Sequence, residues 1–147
     1  MEPEPVIVVV PADRGAARRA RREVAATLEL WGLQRLCADA ELVVSELMSN
    51  AVMHAPGAAS HELQVLRRAT GIRVGVVDGS SAVPAIRPKD DGRPGGRGLR
   101  IVATLAARWG HETRQGGKLV WADIDEVDEF GSSAAAVGAV TSRFSPR

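Results

Sequence analysis

Three groups of residues could carry chemistry, and the first is a helical stripe. Glu46, Asn50 and His54 follow one another at i, i+4 and i+8, a spacing that projects all three from one side of a helix. Beside them Val43, Leu47 and Ala51 repeat the interval with apolar side chains. Such a helix can put one side into a core and hold a carboxylate and an amide along the wall of a pocket. Phosphate–Mg²⁺ chemistry needs that pair of groups. The amide oxygen of Asn50 is a hard ligand able to complete a Mg²⁺ shell shared with phosphates. The Glu46 carboxylate, one turn away, can take a proton from an attacking hydroxyl. Propensity and solvation place a Glu and an Asn four residues apart on many helices too, so the pair alone is a weak signal.

The second group is Asp78, which closes the apolar run Ile72–Val77 and is followed by Gly79-Ser80-Ser81. A carboxylate at a strand end, beside flexible backbone, can accept the exocyclic amine of adenine; the plain alternative is an Asp that starts a turn. The third is Gly95-Gly96-Arg97-Gly98-Leu99. Glycines let backbone N–H groups approach an anion, and a helix opening at Gly98 adds positive potential for phosphate. No apolar strand feeds directly into this segment, so it is not a Rossmann fingerprint, and it lacks the Lys-Ser/Thr ending of a Walker motif.

The elements that must position these groups follow from periodicity and punctuation. Val6–Val10 is a β-branched run closed by Pro11 and reads as a strand. Asp13 is placed to cap a helix whose apolar positions are Ala17, Ala20, Val24, Leu28 and Trp31, ended by Gly32. Arg18, Arg19, Arg21 and Arg22 fall mostly on its other faces, as a solvated surface or a docking surface for an acidic partner. A second helix is expected from about Asp39 to Ala55, stopped by Pro56-Gly57. Leu63–Leu66 and Ile72–Val77, joined at Thr70-Gly71, read as a hairpin. From Gly79 to Gly96 the chain is rich in Gly, Pro, Ser and charge, a loop of the length that marks a functional lid or disorder. Leu99, Val102, Leu105 and Ala106 give a short helix, and Arg108–Arg114 and Lys118–Ile124 pair across Gln115-Gly116-Gly117.

Composition bounds the rest. With 147 residues, 45% hydrophobic and 25% charged, the chain has the makings of one globular domain. A net charge of +1 supplies no field for nucleic acid or a membrane surface. Three Trp, two Phe and no Tyr are few for a platform that stacks bases. The single cysteine, Cys37, has no internal disulfide partner and reads as a small buried residue. The opening Met-Glu-Pro-Glu-Pro is unlike a secretory signal, and Val6–Val10 is too short to cross a bilayer. A cytoplasmic protein is expected. Residues 1–124 are expected to form the domain and 125–147 an acidic, then Gly/Ser/Ala-rich, flexible tail.

Taken in order, these motifs resemble the GHKL (Bergerat-type) ATPases, the superfamily of gyrase B, heat-shock protein 90, histidine kinases and MutL. The likeness is strongest to the small anti-sigma-factor serine kinases of partner-switching systems. Their N-box reads Glu-Leu-x-x-Ser-Glu-Leu-x-x-Asn-Ala-x-x-His-Ala. Here it stands as Glu41-Leu42-Val43-Val44-Ser45-Glu46-Leu47-Met48-Ser49-Asn50-Ala51-Val52-Met53-His54-Ala55. Gly96-Arg97-Gly98-Leu99 and Gly117-Lys118-Leu119-Val120-Trp121-Ala122 resemble the same group, and the likeness runs from about Val6 to Ile124.

The resemblance implies an α+β fold, a two-layer α/β sandwich with a mixed, mostly antiparallel sheet covered on one face by helices. It implies ATP and Mg²⁺, with Asn50 on the metal, Glu46 as general base, and Asp78 and Ser80 at the adenine. Gly96 and Gly98 would hinge the lid and face the phosphates, Arg97 and Leu99 would also belong to the nucleotide-binding segment, and His54 would close the helix against the sheet. The wider superfamily has Asp-x-Gly-x-Gly where this chain has Asp78-Gly79-Ser80-Ser81-Ala82; the Asp-x-Ser form, with Pro84 downstream, resembles the actinobacterial subgroup. Lys89, Arg93 and Arg97 are each either γ-phosphate partners or solvated loop residues. The implied partners are a sigma factor and an anti-sigma-factor antagonist, with a homodimer, no direct nucleic acid and no membrane. A nucleotide-gated anti-sigma or adaptor module without kinase turnover is the alternative. A histidine kinase catalytic domain ranks below both, because no dimerisation helix pair is expected ahead of Val6. A DNA-binding role for Arg18–Arg22 ranks low on the near-neutral charge.

Overall fold

Five antiparallel strands and three helices follow from the patterns above. The computed structural model describes residues 3–80, 84, 98–126 and 144–145. The β-branched run forms β1 (Val6–Pro11) at one edge of the sheet, with Ile7 and Val9 turned outward to solvent. Helix α1 (Ala16–Leu30) buries Ala16, Ala20, Val24, Thr27 and Leu28. It ends where Gly32 takes φ +72°: Gly32 N–H donates to Glu29 and Leu33 N–H to Leu28, while the Leu28 and Leu33 side chains both enter the core. That is a Schellman ending with its apolar contact.

The start of α1 differs from expectation. Gly15 is the N-cap residue and no side chain caps the helix. Asp13 instead accepts the Gly15 N–H at 2.8 Å and pairs with the Arg19 guanidinium one turn into the helix. A carboxylate two residues before the cap reaches an arginine more readily than the orphan amides.

A 3₁₀ turn (Gln34–Leu36) leads into α2 (Cys37–His54), longer at its start than the sequence suggests. Cys37 is half-buried at its first position, not enclosed. Helix α2 buries Ala40, Val43, Val44, Leu47, Met48 and Ala51, a wide apolar stripe suited to a helix with α1 on one side and the sheet on the other. β2 (Ser60–Arg68) and β3 (Gly71–Asp78) form the hairpin, α3 (Gly98–Leu105) follows, and β4 (Arg108–Arg114) and β5 (Gly117–Asp125) form a second hairpin.

The strand order is β1-β2-β3-β5-β4-β6, with β1 through β5 paired antiparallel. β6 (Phe144–Ser145), inside the stretch expected to be a tail, pairs in parallel with Trp109 and Gly110 of β4. The sheet is therefore mixed and mostly antiparallel. Helices pack on one face, against Leu63, Val65, Ile72, Val74, Val76, Val120, Ala122 and Ile124.

The other face carries charge at close quarters. Asp123, fully buried, accepts Arg73 at 2.6 and 3.0 Å and Arg108 at 3.0 Å, and Arg108 also reaches Asp125 at 2.9 Å. Burial alone would raise the Asp123 carboxyl; the Arg73 and Arg108 hydrogen bonds outweigh it and hold the group below its ordinary range. Arg73 also stacks 3.8 Å over the Trp121 ring, a cation–π contact.

Candidate nucleotide site

The site forms where one side of α2 meets the end of β3, the start of β5 and the start of α3. Glu46 and Asn50 are half-buried on that side, one turn apart, while Leu47 between them enters the core. Gly98, the first residue of α3, is pressed against both. A Cβ at Gly98 would sit 2.7 Å from Glu46 Oε2 and 3.5 Å from Asn50 Oδ1. Only a residue without a side chain lets the helix start approach the carboxylate and amide this closely. The fold thus unites two motifs that lie about fifty residues apart along the chain.

Asp78 is buried at the end of β3, opposite Lys118 in the β3–β5 register. Its Oδ1 accepts the Ser80 N–H at 2.7 Å and the Lys118 Nζ at 3.0 Å. Lys118 is equally buried and also approaches the Ser80 carbonyl at 3.5 Å. A buried ion pair is tolerated when hydrogen bonds satisfy the remaining valences, and the Ser80 amide contributes one. Leu47, Asn50, His54, Asp78, Pro84, Lys118 and Val120 line a cavity of about 10 Å³. It is room for a single water.

One step beyond the Glu62–Val77 pair, His61 lies on β2 beside Asp78. Burial pushes its imidazole below the ordinary histidine value, Asp78 draws it up, and Lys118 opposes protonation again. No hydrogen-bond partner meets its Nε2 among the described residues.

The structure therefore brings together Glu46, Asn50 and Gly98, and beside them His54, Asp78 and Ser80. The Leu99 side chain is 3% exposed and belongs to the core, so what this residue can offer a ligand is its backbone. Gly96, Arg97, Lys89 and Arg93 lie outside the described residues. Lys118 and His61 also lie beside Asp78, although the motifs, one of which contains Lys118, assign neither a role. For Lys118 a signal exists: it alternates with Val120, Ala122 and Ile124, so period-two reading puts a lysine on the core-facing side of a strand. For His61 the sequence offers only its position two residues before Leu63 on the same strand face.

No cluster of three or more His, Cys, Asp or Glu suited to a metal ion exists among the described residues. The oxygen donors at this point that could hold a cation such as Mg²⁺ are the Asn50 amide and the Glu46 carboxylate. Nor is any helix among the described residues long and apolar enough to cross a membrane.

A family model for the histidine kinase-like ATPase domain matches residues 10–124. No curated protein matches the chain. Among solved structures, the RsbU and RsbW domains of Rv1364c from Mycobacterium tuberculosis superpose with a TM-score of 0.62 at 19% sequence identity, over 84% of this chain and 32% of that one. The likeness is one of fold, and the chain spans about a third of that structure's length.

Proposed function

The chain belongs to the histidine kinase-like ATPase domain family, and on that premise we propose that it is an ATP-binding anti-sigma factor and protein serine/threonine kinase. Its substrate is an anti-sigma-factor antagonist, whose phosphorylation switches the sigma factor between partners in the cytoplasm. The observation that carries the reading is Gly98 packed against Glu46 and Asn50. It sets a helix N-terminus, a carboxylate and an amide around one point, as transfer of a phosphoryl group requires. Likeness in fold to a structure that contains an RsbW domain supports the direction of the reading.

In this reading Asp78 takes the base and the start of α3 faces the phosphates. Asn50 would hold Mg²⁺, which neutralises charge on the triphosphate when bound. The serine hydroxyl of the antagonist attacks the γ-phosphorus in line. Its proton passes to a Glu46 carboxylate oxygen as the bond to the β-phosphate oxygen breaks and ADP leaves. Glu46→Ala is expected to reduce transfer of labelled γ-phosphate to a candidate antagonist by about 10²-fold or more. Transfer at the wild-type rate would remove Glu46 as the base.

A nucleotide-gated adaptor without turnover is the second reading. It is favoured by the segment Asp78-Gly79-Ser80-Ser81-Ala82, which departs from the superfamily's Asp-x-Gly-x-Gly. ATP binding in calorimetry with no transfer to any candidate antagonist would select it.

A further inference from the structure

We infer that Lys118 is a second base-reading residue of this site, one that donates a hydrogen bond to the ring nitrogen beside the exocyclic amine that Asp78 accepts. The inference rests on the reading of Asp78 as the base-binding carboxylate. Both donors that reach Asp78 among the described residues, the Ser80 amide and the Lys118 ammonium, go to Oδ1. Oδ2 is left to accept from a ligand. The ammonium carries three N–H bonds; one is spent on Asp78, and a second reaches the Ser80 carbonyl only at 3.5 Å. A donor therefore stands 3.0 Å from the carboxylate, fixed by it and more than nine-tenths enclosed.

Adenine presents an amine donor beside the N1 acceptor along one edge. A carboxylate oxygen next to an ammonium N–H is the complementary arrangement, and any base that reaches Asp78 meets Nζ as well. Lys118 is one of the residues lining the small cavity with Asn50, His54 and Asp78, so it belongs to the wall of the site and not to the outer surface. A buried charged donor facing a ring acceptor discriminates well, because an analogue without that acceptor leaves the charge unanswered.

The test is a cycle of affinities for ATP and 1-deaza-ATP, in which C–H replaces ring nitrogen N1, measured on wild type and Lys118→Met. Wild type is expected to bind 1-deaza-ATP about tenfold or more weakly than ATP, and Lys118→Met to bind the two alike. Equal wild-type affinity for the two nucleotides overturns the inference. So does an N1 preference undiminished in Lys118→Met, or a variant that binds ATP as tightly as wild type or more so. Should Lys118→Met not fold, Lys118→Gln keeps a neutral donor on Asp78 and is expected to show a reduced N1 preference; an unchanged preference overturns the inference. A wild type that binds no ATP overturns the nucleotide reading itself, whereas ATP binding without any N1 dependence overturns the role of Lys118 alone.

Discussion

A Cβ at Gly98 would meet the far end of Glu46, a flexible group, at 2.7 Å. Gly98→Ala is therefore expected to cost little stability, because the carboxylate can swing aside, yet to reduce the proposed phosphoryl transfer by about 10²-fold through displacement of Glu46, its proposed base. A thermal melt beside the labelled-phosphate assay separates the two effects. Full activity in Gly98→Ala would mean that Glu46 need not stand where it does. At this scale the sequence is informative wherever chemistry and spacing coincide, and Glu46 and Asn50 are legible from one turn of helix. Lys118 is harder to read, because a lysine just after the Gln115-Gly116-Gly117 turn looks like surface until its alternation with Val120 and Ala122 is weighed.

Among the elements, the junction of β3 and β5 is the base end of the proposed site. Asp78 and Lys118 are the last pair of that ladder, and a Cβ on the adjoining Gly117 would run into the Asp78 carbonyl. Backbone cannot step aside as a side-chain tip can. Gly117→Ala is expected to destabilise the domain by about 1–3 kcal/mol, the usual cost of overpacking, and to lower the urea midpoint accordingly. An unchanged midpoint would show that the ladder end is loose. Strands and helices are legible because β-branched runs, apolar stripes and glycine stops agree with one another. The start of α1 is not, since Asp13 has competing partners within reach and takes Gly15 and Arg19. The Asp123 cluster with Arg73 and Arg108 is also out of reach, because it joins three strands whose register only the folded sheet sets.

For the molecule as a whole, the family match over residues 10–124 runs from the last core residue of β1 almost to the end of β5. No single motif suffices; their order along the chain makes the fold legible, as each sits at the junction of two elements. The side chain of Leu99 goes to the core because the first turn of α3 has its own apolar stripe to bury, with Val102 and Ala106. The most direct test is calorimetric titration of Mg²⁺–ATP into wild type, Asp78→Asn and Asp78→Asn/Lys118→Met, each checked for native circular dichroism. The double variant removes the ammonium that Asp78→Asn would leave buried without its counter-charge. Wild type is expected to bind, and both variants to bind about tenfold or more weakly. Equal affinity in all three, or no uptake of ATP by the wild type, would contradict a nucleotide site built on Asp78.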